Sequence, residues 1–303
     1  MNIQGRTITE GTLHTPRSRL ALPALFTGAA AIALAPIFVR FSDVGPAAKA
    51  FWRLAFALPF LWAGVLISSK RKGAPGLPKT RSDHGLMAAA GLFFAADLSV
   101  WHLSVKYTTV ANATLLPNFA PVFVAAGAWL FLKERIRLPF LAGMAAAMAG
   151  TAMMVGTSFT IDRARFWGDA LGLATAVFYA GYLLSVKNLR SRFSTATVMA
   201  YSGTVTCAAV LATAMAAGER MLPESGRGWA VLAAMGLVSH VGGQGLIAYA
   251  LAHLKAGFSS VGLLLQPVLA TVLAWALFHE TLSPLQAAGG ILVLAGIAAA
   301  KRE

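Results

Sequence analysis

The sequence predicts an all-helical membrane protein of ten transmembrane helices, and three observations predict it. The 303-residue chain is 57% hydrophobic and 12% charged, against about 45–50% and 25% in soluble domains. Its apolar residues fall into ten runs, each near the ~20 residues that a helix needs to cross a bilayer core. Lysine and arginine concentrate in alternate connections between those runs, as the bias toward cytoplasmic loops requires. The net charge of +14 could attract nucleic acid. However, the basic residues form short clusters without interleaved aromatics, so no nucleic-acid partner is expected. The single cysteine, Cys207, excludes an internal disulfide, a redox motif and a Cys-based metal site.

The elements follow in order. Residues 1–19 are polar, carry Gly5, Gly11 and Pro16, and lack apolar periodicity, which predicts a flexible cytoplasmic tail. The run from Leu20 to Val39 is too long for a signal-peptide core and has no small-residue cleavage site after it, so it reads as an uncleaved first span. The further spans are expected over 46–68, 84–104, 110–132, 138–156, 168–186, 195–217, 228–252, 258–278 and 284–300. One alternating set of connections holds seventeen Lys and Arg and the other seven, with Arg53 inside a span. That excess predicts an even span count with both ends in the cytoplasm.

The chain also repeats. A shift of 146 residues superimposes Pro121 on Pro267, Val122 on Val268, Trp129 on Trp275, Glu134 on Glu280, Gly143 on Gly289 and Gly150 on Gly296. The unit is five spans, over 20–156 and 168–300. An odd unit must enter the membrane from opposite sides in its two copies, which is the inverted-repeat architecture of many secondary transporters. Pro121 and Pro267 lie inside spans, where each removes a backbone donor and marks a helix break near the membrane midplane, or a packing kink. Glu134 and Glu280 stand in short turns, where a carboxylate favours the N-terminus of the helix that follows. Ser283 and Pro284 read as N-cap and first residue of span ten. Gly143 with Gly150, and Gly289 with Gly296, lie seven apart on one helix face, which allows close helix approach within the chain or across a homodimer.

This pattern, two five-span repeats each closing with Pro, a run to Glu, a short turn and a Gly-spaced helix, resembles the EamA-type transporters of the drug/metabolite transporter superfamily. The residues that carry the resemblance are Leu-Gln-Pro-Val at 265–268, Trp275, Phe-His-Glu at 278–280 and Gly289 to Gly296, with a weaker copy from Pro121 to Gly150. The resemblance covers essentially the whole chain. It implies a multi-pass carrier of the bacterial inner membrane, often an exporter, with a central cavity lined by spans one to four and six to nine. Members move amino acids, nucleosides, sugars, polyamines or drugs. Among these, the exporters of amino acids, aromatic ones included, best suit the cavity residues below.

Ionisable groups inside a span are costly and are paired or functional. Arg53 lies about seven residues into span two and Asp97 about thirteen into span three, which puts both roughly 10 Å from the outer side. They are expected to pair at an outer gate, or Asp97 is to carry a coupling proton. Lys49, one turn above Arg53, is expected to snorkel. The substrate-binding candidates are Trp101, one helical turn from Asp97; Tyr179 and Tyr182 on span six; His240 and Gln244 on span eight beside Gly242, Gly243 and Gly245; and Asn118 and Gln266 next to the prolines. Amide and hydroxyl groups with aromatic walls suit a small amphipathic solute, although each could instead bond a neighbouring helix. Most of the other tryptophans, Trp52, Trp129, Trp167, Trp229 and Trp275, are expected in the interfacial belt.

No phosphate-binding loop, nucleophile elbow or His-Glu-x-x-His motif occurs, so no cofactor or metal is expected and no enzyme activity is expected. An uncoupled facilitator or a multidrug exporter of the same fold is the nearest alternative, and an intramembrane enzyme using Asp97, His102 and His240 is a remote one. Reporter tags placed in the 106–110 and 253–257 connections will appear on opposite sides of the membrane. Appearance on the same side would exclude the inverted repeat.

Overall fold

The computed structural model describes residues 18–70, 75–155 and 163–301, so the tail expected over 1–19 lies, but for its last two residues, outside them. Every described element is helical. Nine helices among the described residues are long and apolar enough to cross a membrane. They are span one (Ala21–Arg40), two (Pro46–Ser69), three (Arg81–Tyr107), four (Ala111–Leu132), five (Leu138–Val155), six (Arg163–Arg190), seven (Thr195–Ala216), eight (Gly226–Leu251) and nine (Ala256–Phe278). A tenth apolar helix, Pro284–Ala300, is shorter and is called span ten. The chain is therefore a multi-pass membrane protein.

Helix ends in a bilayer must satisfy their own backbone groups, and local sequence explains most of the boundaries. Span three starts three residues before the expected 84 because Thr80 and Asp83 form a capping box, and Arg192 pairs with Asp83 at 2.6 Å. Ser283 and Gln286 form the same device ahead of span ten, with Pro284 as the first helical residue, as expected. Lys49 donates to the Val39 carbonyl at 3.3 Å and so snorkels to the end of span one.

Four spans are not simple α-helices. Span one is two pieces, Ala21–Ala33 and Ala35–Arg40, with a proline opening the second. Span four is broken by a 3-10 turn over Leu116–Phe119, and span nine is interrupted at Leu263 and Leu264. Pro121 and Pro267, expected at the breaks, instead sit in the first turn of the piece that follows. A missing N–H costs nothing there, because the first four donors of a helix have no intrahelical partner. Span eight contains a ten-residue π-helix, Met235–Gln244, between two α-helical pieces.

The packing relates the halves. Span one lies on span eight and span six on span three, span two lies on span seven and on span eight, and span three lies on span seven. Each of these pairs maps onto another, or onto itself, when span n is exchanged with span n + 5. Spans five and ten meet through the matched glycines. A Cβ on Gly143 would stand 2.6 Å from the Gly296 carbonyl oxygen, and one on Gly150 2.5 Å from that of Gly289. The crossed pairing means that the two helices run antiparallel, and it corrects the homodimer alternative for these faces, which are used up inside the chain. The left-handed backbone also repeats: Lys133 (φ 55°) and His279 (φ 54°) close spans four and nine.

Three sequence expectations are corrected here. Glu134 does not serve the helix that follows it. Its two carboxylate oxygens accept from the Ala256 and Gly257 N–H groups of span nine at 2.9 and 3.4 Å. Glu280 does not serve span ten either, and pairs with Arg40 at 2.5 Å. Trp129, Trp167 and Trp275 are exposed as a belt requires. Trp52 and Trp229 instead stack on each other edge to face at 4.7 Å, and the Trp52 indole donates to the Met221 carbonyl at 2.6 Å. Gly150→Ala forces a methyl against backbone, so it will lower stability by about 1–3 kcal/mol. Gly85→Ala, with nothing within 4 Å, will be neutral or stabilising by up to ~1 kcal/mol. Thermal unfolding of both variants in detergent checks this pair.

Candidate functional site

The two-, three-, six- and eight-span walls converge on one group of polar and aromatic side chains. Span two contributes Arg53, whose carbonyl oxygen would stand 2.9 Å from a Cβ on Gly236 of span eight. The glycine therefore lets spans two and eight approach closely at this level. Span three contributes Phe94 and Asp97, and span six contributes Tyr179 and Tyr182, one turn apart. Span eight contributes His240 and Gln244 from its π-helix, the widened geometry that often marks functional positions.

The aromatic rings form one wall. Tyr182 stacks on Phe94 at 4.5 Å, Phe94 on His240 at 5.9 Å and Tyr179 on Tyr182 at 6.2 Å. Tyr182 and His240 are buried, while Arg53, Asp97 and Tyr179 keep partial exposure. The Tyr179 side chain contacts the Gln244 side chain. Arg53 lies within electrostatic reach of Asp97, Tyr179 and Tyr182, and of His240. No ion pair within 4.0 Å joins Arg53 to Asp97, so the expected direct pair is not formed; the two charges face one region from adjacent helices.

Several polar atoms in this region have no hydrogen-bond partner: Arg53 Nε, both ring nitrogens of His240, and Gln244 Oε1. Buried polar atoms are nearly always bonded, so a group of them at one place calls for an explanation. Together they offer a cation, an anion, an amide oxygen, an imidazole and an aromatic wall. This set matches a small solute carrying both charges and a flat or apolar body. No cluster of three or more His, Cys, Asp or Glu side chains converges among the described residues.

The other candidates lie apart from this group. The Trp101 indole donates to the Ala113 carbonyl of span four at 3.0 Å, and its ring rests on His102 at 5.1 Å. Asn118 bonds the Thr114 carbonyl of its own helix at 2.7 Å. Gln266 lies in the first turn of the second piece of span nine. Among the described residues, no hydrogen bond, ion pair or ring contact ties these three to the central group. Sequence reasoning missed Phe94, because a phenylalanine in an apolar run carries no signal until the fold places it between a tyrosine and a histidine. It also missed Asp169, which accepts from Thr108 at 2.5 Å and from Asn112 at 2.8 Å and so anchors the start of span four to span six.

Comparison with known proteins gives the family and the fold. The model of the EamA-like transporter family matches residues 19–156 and again 166–300. The chain belongs to this family and is a membrane transporter, not an enzyme. Among its relatives is the "Pseudopaline exporter CntI" of Pseudomonas aeruginosa, 27% identical over 240 residues, which is 79% of this chain and 78% of that protein. A second is the "Probable terminal-alkyne amino-acid exporter" of Streptantibioticus cattleyicolor, 32% identical over 228 residues and 73% of each chain. A solved crystal structure superposes with a TM-score of 0.78 at 20% identity, covering 95% of this chain and 99% of that one, which establishes the shared fold.

Gln244→Met keeps length and flexibility while removing the unpartnered oxygen. Its unfolding free energy will stay within about 1.5 kcal/mol of the parent, measured by thermal unfolding in detergent. A larger loss would mean that Gln244 holds the fold together rather than facing a solute.

Proposed function

We propose that this protein exports amino acids or closely related small metabolites across the bacterial inner membrane by alternating access of two inverted five-span halves, with both ends in the cytoplasm. The observation that carries the substrate assignment is the unpaired disposition of Arg53 and Asp97 beside the unpartnered atoms of His240 and Gln244. A buried charge without a partner is costly, and an α-amino acid brings one of each sign. Its carboxylate sits against Arg53 and its ammonium against Asp97. Its side chain lies along Tyr179, Tyr182 and Phe94, within reach of Gln244 and His240. Neutral and aromatic side chains suit that wall.

Further support comes from three sources. The family model matches each half separately, and the packing of spans one, two, three, six, seven and eight maps onto itself when the halves are exchanged. Basic residues favour one set of connections by seventeen to seven, which supports cytoplasmic ends. One relative is named for an amino-acid substrate. The breaks in spans four and nine and the π-helix of span eight supply joints for the moving parts. Trp101, Asn118 and Gln266 take a supporting role along the path outside the central group.

Transport in proteoliposomes with a panel of radiolabelled amino acids, with and without an imposed pH gradient, tests this reading. Saturable movement of one or a few is expected. Arg53→Gln and Asp97→Asn will each lower kcat/KM about 30-fold or more, as loss of one member of a buried charge pair does. Movement of sugars, nucleosides or cationic drugs with no amino acid moving would overturn the substrate. Accumulation against a gradient, abolished by an uncoupler, separates a coupled carrier from a facilitator. If Asp97→Asn transports like the parent at every pH, Asp97 neither binds the ammonium nor carries a proton.

A further inference from the structure

Glu134 and Glu280 hold equivalent places 146 residues apart, each directly after a residue in the left-handed region, Lys133 and His279. Their surroundings differ. Glu134 reaches across the repeat and accepts from the Ala256 and Gly257 N–H groups at the start of span nine. Glu280 reaches no helix end and pairs with Arg40 on the exposed surface.

The packing differs in the same sense. Every residue from Ala256 to Gly262 is buried. These turns lie against the second half of span four, which in turn buries Ala120, Pro121, Val124, Ala125, Gly127 and Ala128. The matching contact, between the first turns of span four and the second half of span nine, is not comparably made. Ser260 is 2% exposed, while Thr114, its equivalent 146 residues earlier, is exposed. The second half of span nine buries Val268 alone. Two ends built from one residue pattern are thus packed differently, although Asn112, Ala113 and Leu115 of the first turns of span four are buried as well.

We propose that Glu134 and Glu280 are the latches of the two gates and engage in turn. As the halves exchange conformations, Glu134 releases span nine, and Glu280 leaves Arg40 for the first turn of span four. This rests on the alternating-access reading above. Thr109 already satisfies the Asn112 N–H and leaves that of Ala111, the equivalent of Gly257, for Glu280. A carboxylate on a helix N-terminus makes charge-assisted hydrogen bonds and meets the positive end of the dipole. Exchanging one such contact for an equal one keeps the two states close in free energy, as a cycling carrier requires. Glu134 and Glu280 touch no solute; they set which end is open.

The test is labelling by a membrane-impermeant maleimide in vesicles of both orientations, in a Cys207→Ala background with Ser260→Cys or Thr114→Cys as reporter. In the parent, the cysteine at 114 reacts and that at 260 is shielded. Glu134→Gln will raise labelling at 260 about tenfold, the scale of a lost hydrogen bond to a charged group, and will lower labelling at 114 correspondingly. Glu280→Gln will leave 260 shielded. Glu134→Asp, which keeps the charge but retracts it, will shift both labels part of the way and serves if Glu134→Gln does not fold. A rise at 260 with no fall at 114 would be local fraying and would overturn the latch. The latch is equally overturned if Glu280→Gln exposes 260 as strongly as Glu134→Gln does, or if 114 never reacts. If added amino acid moves the two labels reciprocally while the Glu134 variants do not, the latch fails and alternating access stands. Labels that never move reciprocally, in any variant or with any solute, sink both readings.

Discussion

Without water, the bilayer core leaves each backbone N–H and C=O dependent on the protein for a partner, and the rest of this structure follows from that constraint. Continuous helices meet it alone, although spans one, four, eight and nine are not continuous. The helix ends are met by devices that reach between segments. Glu134 serves the start of span nine, the Glu219 carboxylate accepts from Ala48 N–H in the first turn of span two at 2.9 Å, and Lys187 donates to the Leu254 carbonyl beyond span eight at 2.7 Å. Each device ties a helix end in one half to a side chain in the other or in a neighbouring span. These helix ends therefore have defined partners.

Small residues make this possible. Gly28 and Gly243 bring spans one and eight into backbone contact, and the four glycines of spans five and ten do the same for those two helices. Helices at such distances gain dispersion contacts that lipid cannot replace. The central group of Arg53, Asp97, Tyr179, Tyr182, His240 and Gln244 draws two of its members from the π-helix and keeps polar atoms unpartnered. A purely structural core would have bonded or replaced them.

Much of the fold was legible in the sequence because its signals are local or periodic. Hydropathy gave the spans and a shift of 146 residues gave the matched positions, to which the structure adds two left-handed residues, Lys133 and His279. The central site was legible only in part. Arg53, Asp97, the two tyrosines, His240 and Gln244 were found because ionisable and polar residues inside apolar runs stand out. Trp101, Asn118 and Gln266 stood out equally but lie apart from the central group, Trp101 and Asn118 bonding an adjacent helix or their own, since polarity alone does not say which way a side chain is used.

The residues by themselves determined that this chain spans a membrane many times, that its halves are copies, and that a few intramembrane charges need partners, because these depend on transfer free energies and sequence spacing. Tertiary structure alone decided which helix end Glu134 serves, that Phe94 joins the tyrosines to His240, that the paired glycines face each other within one chain, and that Glu280 pairs with Arg40 instead of repeating the contact of Glu134. Those outcomes depend on the crossing of helices far apart in sequence, and two nearly equal contacts built from the same pattern can be told apart only by seeing which of them is made.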